Sequence, residues 1–159
     1  MKPLFLLITF TATIGLSACQ TTDNKSTSLP IGPLIERVIS NQIDIMAPPT
    51  SLYTVDQFDI AAHQLILAAS RNDIATINSL LYYFRGFSYY GDAKVLTDRS
   101  VEKLDQALTQ LSTLDAMSNN FRLQEQYAVT LMRFYGKKNF KGRFAPHLSQ
   151  LLNTISQFD

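Results

Sequence analysis

Leu96-Thr97-Asp98-Arg99-Ser100-Val101-Glu102-Lys103-Leu104-Asp105-Gln106-Ala107-Leu108-Thr109-Gln110-Leu111-Ser112-Thr113-Leu114 carries the local signals of an amphipathic helix, and the surrounding chain repeats its pattern. Thr97 stands where a hydroxyl can accept from a free first-turn N–H, with Leu96 and Val101 placed around it as a hydrophobic staple. Leu104, Leu108, Leu111 and Leu114 then recur at the spacing that stacks side chains on one helical face. The predicted helix buries that leucine stripe and leaves its charged face to water.

Toward the C-terminus, Asn119 or Asn120 opens the next predicted helix, which carries Phe121, Tyr127, Ala128, Leu131, Phe134 and Tyr135 and has Gly136 as its stop. Pro146 is placed in the first turn of a last helix that turns Phe144, Leu148, Leu151, Leu152, Ile155 and Phe158 to the core. Toward the N-terminus, Asn72 is read as the cap of a helix burying Ile74, Ile77, Leu80, Leu81, Phe84 and Phe87 before Gly91 ends it. Thr54 with Gln57 makes a capping box ahead of Val55, Phe58, Ala62, Leu65 and Ala69, a stripe ending near Ser70. Pro33 opens the first helix, whose Leu34, Ile35, Val38, Ile39 and Ile43 lead to Pro48-Pro49. No stretch alternates apolar and polar residues as a half-buried strand would, so the expected fold class is all-α, with about six amphipathic helices.

The predicted starts near 98 and 144 lie about 46 residues apart, and those near 73 and 120 about 47, close to the roughly 40–47 residue period of HEAT and armadillo units. Sliding the chain on itself sets Leu104 on Leu148, Leu108 on Leu152, Leu111 on Ile155 and Leu114 on Phe158. A HEAT/armadillo-like α-solenoid and a plain antiparallel helix bundle both accommodate this pattern.

Ahead of the helices, Lys2, an apolar run from Leu4 through Leu16 and small residues before Cys19 form the three-part layout of a secretory signal, too short to span a membrane. Leu16-Ser17-Ala18-Cys19 resembles the lipobox of bacterial lipoproteins. That resemblance implies residues 1–18 as a lipoprotein signal peptide and acyl chains, palmitate among them, on Cys19. Residues 19–30 then read as a polar tether without periodicity, and residues 31–159 as one helical domain. Gln20 stands where enterobacterial-type lipoproteins kept in the inner membrane carry aspartate. Similarity to that rule implies an outer-membrane address, on the periplasmic or the cell-surface face.

Composition narrows the chemistry. Cys19 is the only cysteine, so a lipidated chain keeps no thiol for a disulfide, a metal or a nucleophile. Removing Lys2 balances basic and acidic side chains, which supplies no bulk attraction to nucleic acid. Tryptophan is absent, and ten Phe with seven Tyr provide the large apolar surface of the core. His63 and His147 have neither a second histidine nor an acid at metal-ligand spacing and read as boundary residues. No G-x-S-x-G elbow or phosphate-cradling loop occurs. The expectation is a non-enzyme without cofactor, catalytic residue or metal site.

Two stretches remain as candidate surfaces. Arg133, Lys137, Lys138, Lys141 and Arg143 are interleaved with Phe134, Tyr135, Phe140 and Phe144, with no acid between Gln126 and Phe158. They read either as an anionic-surface contact or as a solvated connection whose aromatics belong to the core. Tyr82-Tyr83-Phe84-Arg85-Gly86-Phe87-Ser88-Tyr89-Tyr90 sets aromatics all round its helix. Tyr82, Tyr83, Arg85, Tyr89 and Tyr90 are therefore candidates for protein contact or for packing between helices.

The same residues carry a second resemblance. Tyr83-Phe84-Arg85-Gly86-Phe87-Ser88-Tyr89-Tyr90 is similar to the Tyr-Leu-Arg-Ala-Gly-Tyr-Tyr type of segment in the N-terminal, non-catalytic activator domain of bacterial secreted collagenases, which are zinc metallopeptidases. Arg143-Phe144-Ala145-Pro146-His147-Leu148-Ser149-Gln150-Leu151-Leu152-Asn153 is similar to that domain's Arg-Tyr-Leu-Pro followed by a leucine pair. The likeness spans residues 72–158. It implies a helical-repeat saddle that engages collagen beside a separate peptidase domain, with Tyr83, Arg85 and Tyr89 as packing or contact residues. The family's Ala-Gly pair is Gly86-Phe87 here, and the peptidase domain with its zinc ligands is missing, so no catalytic residue carries over. The expected function is a non-catalytic, outer-membrane-anchored lipoprotein that binds another protein, a collagen-like substrate or an envelope component. A small pilot lipoprotein of a secretion complex and a truncated remnant of a secreted peptidase are the alternatives.

Overall fold

Every regular element among the described residues is helical. The computed structural model describes residues 32–44, 48–137 and 140–155; the lipobox, Cys19 and the tether lie outside them. The α-helices in chain order are α1 (Pro33–Ile39), α2 (Val55–Ser70), α3 (Ile74–Tyr90), α4 (Asp98–Ser112), α5 (Ala116–Asn119), α6 (Phe121–Tyr135) and α7 (Lys141–Ile155). Single 3-10 turns at Thr50–Tyr53 and Ala93–Val95 lead into α2 and α4.

The capping residues act as their chemistry dictates. Thr97 accepts from the Ser100 N–H at 3.1 Å, and Leu96 and Val101 are both buried at the entry to α4. Thr54 does the same for Gln57 at 3.3 Å, and Asn120 for Leu123 at 3.0 Å. Thr97→Ala is expected to cost about 1 kcal/mol in urea unfolding, the usual worth of an N-cap. A loss near zero would mean that water serves the Ser100 N–H equally well.

Several boundaries differ from expectation, each for a local reason. The first helix stops at Ile39 instead of running to Pro48. Asn41 adopts φ 55°, its N–H donates to Val38 O at 3.0 Å, and the Gln42 N–H donates to Arg37 O at 2.7 Å. Ile43 lies beyond that Schellman-type end and packs part-buried on the core. Asn72 is not the cap of α3. It takes φ 54° and ends α2, with the Asp73 N–H reaching Ala68 O at 2.9 Å. Asparagine tolerates this left-handed conformation better than most side chains. Asp73 is the cap, accepting from Thr76 N–H at 3.1 Å. Gly91 ends α3 without a left-handed backbone; a Cβ there would stand 2.8 Å from Phe87 O and 2.9 Å from its ring.

The predicted fifth helix is α6, between its cap Asn120 and Gly136; the short α5 precedes it, and Phe121, the first residue of α6, is 79 % exposed. The last helix begins at Lys141, with Phe140 O accepting from the Arg143 and Phe144 N–H groups. Pro146 therefore sits inside α7 and not in its first turn, where it lacks the N–H that would reach back to Gly142. Leu152, expected inward, is 59 % exposed. Phe158 and the side chain of Ile155 lie outside the described residues.

Helix α2 packs on α3 and α4, α3 packs on α6, and α7 packs on both α4 and α6, while α1 covers α2 and α3. The polar links between neighbours join residues at similar depths in each helix. Lys103 Nζ donates to Asp59 Oδ2 at 2.7 Å between α4 and α2, and His147 Nε2 meets Asp105 Oδ1 at 2.7 Å between α7 and α4. Thr130 Oγ1 donates to Gln126 O at 2.8 Å and lies 3.5 Å from Leu81 O, linking α6 to α3. One continuous core runs between the helices. Its aromatic centre is Phe58, with Phe87, Phe84 and Phe134 ring centroids at 4.8, 5.1 and 6.1 Å.

Candidate functional site

Helix α3 is seated by Ile77, Leu80, Leu81, Phe84 and Phe87, all fully buried, and that choice of inner face decides which tyrosines remain outside. Tyr83 goes inward with them. It is fully buried, and its hydroxyl donates to Leu52 O at 3.1 Å, tying α3 to the 3-10 turn ahead of α2. Of the five residues proposed for protein contact, Tyr83 is thus removed to the core. A buried phenol needs an acceptor, and the Leu52 carbonyl of the turn supplies it.

The other four stay within reach of solvent. Tyr82 is 39 % exposed, Tyr89 53 % and Tyr90 52 %, and Arg85 is half-buried, its carbonyl accepting from the Ser88 hydroxyl at 2.7 Å. Arg133 of α6 lays its guanidinium 4.2 Å from the centre of the Tyr89 ring, a cation–π contact across the two helices. Tyr90 stacks on Tyr53 at 5.8 Å with the rings 14° apart, and Tyr53 meets the edge of Phe87 at 6.0 Å. Pro48, Pro49, Tyr53 and Tyr90 border a notch of about 340 Å³. Tyr53 and the two prolines were not among the residues singled out from sequence. The Pro-Pro pair reads locally as a stop signal, and only folding brings it to Tyr90.

Burial, followed by the neighbouring Tyr90 and Tyr82 phenols, pushes Tyr53 up to about 12. Burial, followed by Tyr53, holds Tyr83 well above the usual phenol range. Burial and then the Asp105 carboxylate raise Tyr127, whose hydroxyl is enclosed without a hydrogen-bond partner. A phenol whose pKa is raised by folding keeps its proton longer in the native state than in the unfolded chain. The stability it contributes is whole below pH 10 and is lost as pH climbs toward about 12. The protein is therefore expected to unfold at lower urea as pH rises through that window, and Tyr53→Phe should flatten the dependence. A midpoint that stays level from pH 10 to 12 would contradict the burial of these phenols.

The basic stretch divides in two. Phe134, Phe140 and Phe144 are fully buried and touch one another in sequence, at 4.9 and 5.2 Å between ring centroids. These aromatics serve the core and are unavailable to an anionic surface. Arg133 and Arg143 are exposed and Lys137 is half-buried, with Arg133 turned to Tyr89. Lys138 and the side chain of Lys141 lie outside the described residues.

His147 does have an acidic partner, found through the fold and not through local spacing. It is 7 % exposed and bonded to Asp105, beside a small cavity of about 40 Å³ that Tyr127 also lines. Ser112, on the same cavity, donates to Thr109 O at 2.7 Å, so its hydroxyl proton is engaged within the helix. His63 is half-buried with Nε2 lacking a partner. Among the described residues no group of three or more His, Cys, Asp or Glu side chains is placed to hold a metal ion, and no helix is long and apolar enough to cross a membrane.

A groove of about 560 Å³ is lined by Asn78 and Tyr82 of α3 together with Val38, Ile43, Arg122 and Gln126. Comparison of the chain with protein-family models, with curated proteins and with solved structures gives no match.

Proposed function

We propose that the chain is a lipid-anchored, non-catalytic protein of the outer membrane whose helical-repeat domain binds another protein. The contact surface in this reading is the outer face of α3 with the adjoining part of α6. The observation that carries it is the Tyr89–Arg133 stack, set between exposed Tyr82 and the Tyr53–Tyr90 pair. Tyrosine and arginine are the side chains that dominate protein interfaces, because they bring large contact area and a polar tip at low entropic cost. Here they are already held in place by stacking, which lowers the ordering cost of binding.

The repeat arrangement in this reading rests on the recurrence of the apolar stripe of α4 in α7. The likeness to the collagenase activator domain makes collagen the first partner to test.

The test is co-sedimentation of the full chain, held in mild detergent, with native collagen fibrils and with heat-denatured collagen, at low and physiological salt. Binding that prefers the triple helix and weakens on Tyr89→Ala, Arg85→Ala or Arg133→Ala is the expected result. Binding unchanged by these substitutions overturns the surface. No binding under any condition overturns collagen as the partner and directs the search to envelope proteins crosslinked in the cell.

A further inference from the structure

We propose that the outer side of α6 rests on an anionic phospholipid surface, with Phe121 and Met132 entering the headgroup boundary and Arg122 and Arg133 held at the lipid phosphates. The lipid anchor proposed above serves only to bring the domain to a bilayer. The experiment below is made without acyl groups and can fail while the anchor stands.

The first observation is a sorting of charge. Basic and acidic side chains nearly balance over the whole chain, yet between Ala116 and Ile155 six Lys and Arg stand against one acid, Glu125. The carboxylates collect elsewhere, Asp56 and Asp59 on α2 and Asp98, Glu102 and Asp105 on α4. Arg122 is exposed and forms no ion pair among the described residues, and Arg133 lies over the Tyr89 ring, which does not neutralise it. Such asymmetry within one chain points to an anionic partner.

The second observation is where apolar surface is left uncovered. Phe121, Met132 and Leu152 are more exposed than any other large apolar side chain among the described residues, and all three belong to α6 and α7. The most exposed apolar groups and the excess of cations thus share one pair of helices.

The third observation is their register. Phe121-Arg122 and Met132-Arg133 are the same apolar–basic pair, repeated eleven residues later on α6. Eleven residues make three helical turns, so the two pairs lie along one side of the helix about 16 Å apart. Leu123, Tyr127 and Phe134 hold the opposite side in the core. Glu125 falls between the two pairs and opposes their charge, which gives the proposal a variant expected to gain binding.

A bilayer surface complements each part of this pattern. An apolar side chain gains by entering the acyl boundary, while an adjacent guanidinium stays at the phosphates and donates parallel N–H bonds to them. Nucleic acid would engage the arginines and leave Met132 in water. A second copy of the chain would set like charges face to face across a two-fold contact. An acidic protein is the remaining occupant, and the bilayer is favoured over it because a chain anchored through residues 19–30 holds the domain beside that surface at high effective concentration.

The experiment uses the full chain carrying Cys19→Ser, with one thiol introduced by Met132→Cys or, separately, by Phe121→Cys, and labelled with an environment-sensitive nitrobenzoxadiazole. A chain labelled through Glu102→Cys, at an exposed site of α4, is the control. Each is mixed with phosphatidylcholine vesicles, with and without phosphatidylglycerol, and with doxyl-labelled lipid as quencher. Both α6 labels are expected to brighten, shift to the blue and be quenched by the doxyl lipid when phosphatidylglycerol is present, and the α4 label to stay in water. Arg122→Gln should weaken vesicle partitioning of the position-132 label roughly fivefold, and Glu125→Gln should strengthen it by a similar factor, the worth of one charge near an anionic surface. Raising the salt concentration should weaken it. The proposal is overturned if neither α6 label is quenched, if quenching is equal without phosphatidylglycerol, or if the α4 label is quenched to the same extent. A blue shift that grows with protein concentration in the absence of vesicles would overturn it too, by assigning this side of α6 to a second copy.

Discussion

Phe58→Ala is expected to lower the free energy of unfolding by about 3–5 kcal/mol, the usual cost of emptying a fully buried phenylalanine site. Phe58 is fully buried on α2, and its ring makes edge contacts with Phe84 and Phe87 of α3 and with Phe134 of α6. Truncation removes transfer energy, leaves a cavity, and cancels ring-edge contacts worth about 0.5–1.5 kcal/mol each beyond area. A domain of this size has roughly 5–15 kcal/mol of total stability, so one substitution consumes a large part of it. Phe58→Leu, which refills much of the volume without the ring edges, should cost less than half as much. Urea unfolding followed by far-UV circular dichroism measures both. A loss under about 1 kcal/mol for the alanine variant would mean that the three helices do not meet at this ring.

Cys19→Ser is expected to abolish incorporation of radiolabelled palmitate and to leave the helical fold unchanged. Cys19 is the only thiol, so a label on the wild-type chain that survives the substitution cannot sit on the proposed site. Acyl chains contribute about 0.8 kcal/mol per buried methylene, and more than one such chain makes spontaneous release from a bilayer negligible. The effect on retention is therefore close to all-or-none, whereas the described helices, from α1 at Pro33 onward, lie downstream of Cys19. Equal label on both proteins would sink the anchor. Loss of the helical circular dichroism signal along with the label would instead show that the substitution had disturbed the folded body.

These two experiments separate what is local in this protein from what is not. The α4 cap at Thr97, its staple and its leucine stripe were legible because every contact involved lies within one helical turn. So were the caps at Thr54 and Asn120. The errors cluster where two local readings compete. Asn72 has the right chemistry both for a cap and for a left-handed stop, and the choice depends on whether Asp73, one residue later, takes the capping role. Phe121 and Leu152 fit their helical stripes but sit where no neighbouring helix covers them, and both stay exposed.

The candidate surfaces show the same division. A run of aromatics between Tyr82 and Tyr90 declares that some rings must be exposed, without saying which. Tyr83 is withdrawn because Leu52 O offers its hydroxyl an acceptor, and Tyr89 is retained outside with Arg133 laid across it. The groove beside α3 has no local signature, since Asn78 and Gln126 are ordinary polar positions on two different helices until those helices pack together.

Composition and periodicity alone determined that the chain is all-helical, where most of its helices lie, and which stripe of each prefers the core. These are consequences of the 3.6-residue turn and of side chains interacting with their own backbone. Only the tertiary structure decided which helices are neighbours, which tyrosines face water, and that His147 would find Asp105. Those outcomes depend on contacts between residues far apart in the chain, and such contacts are set by how the apolar stripes share a single core.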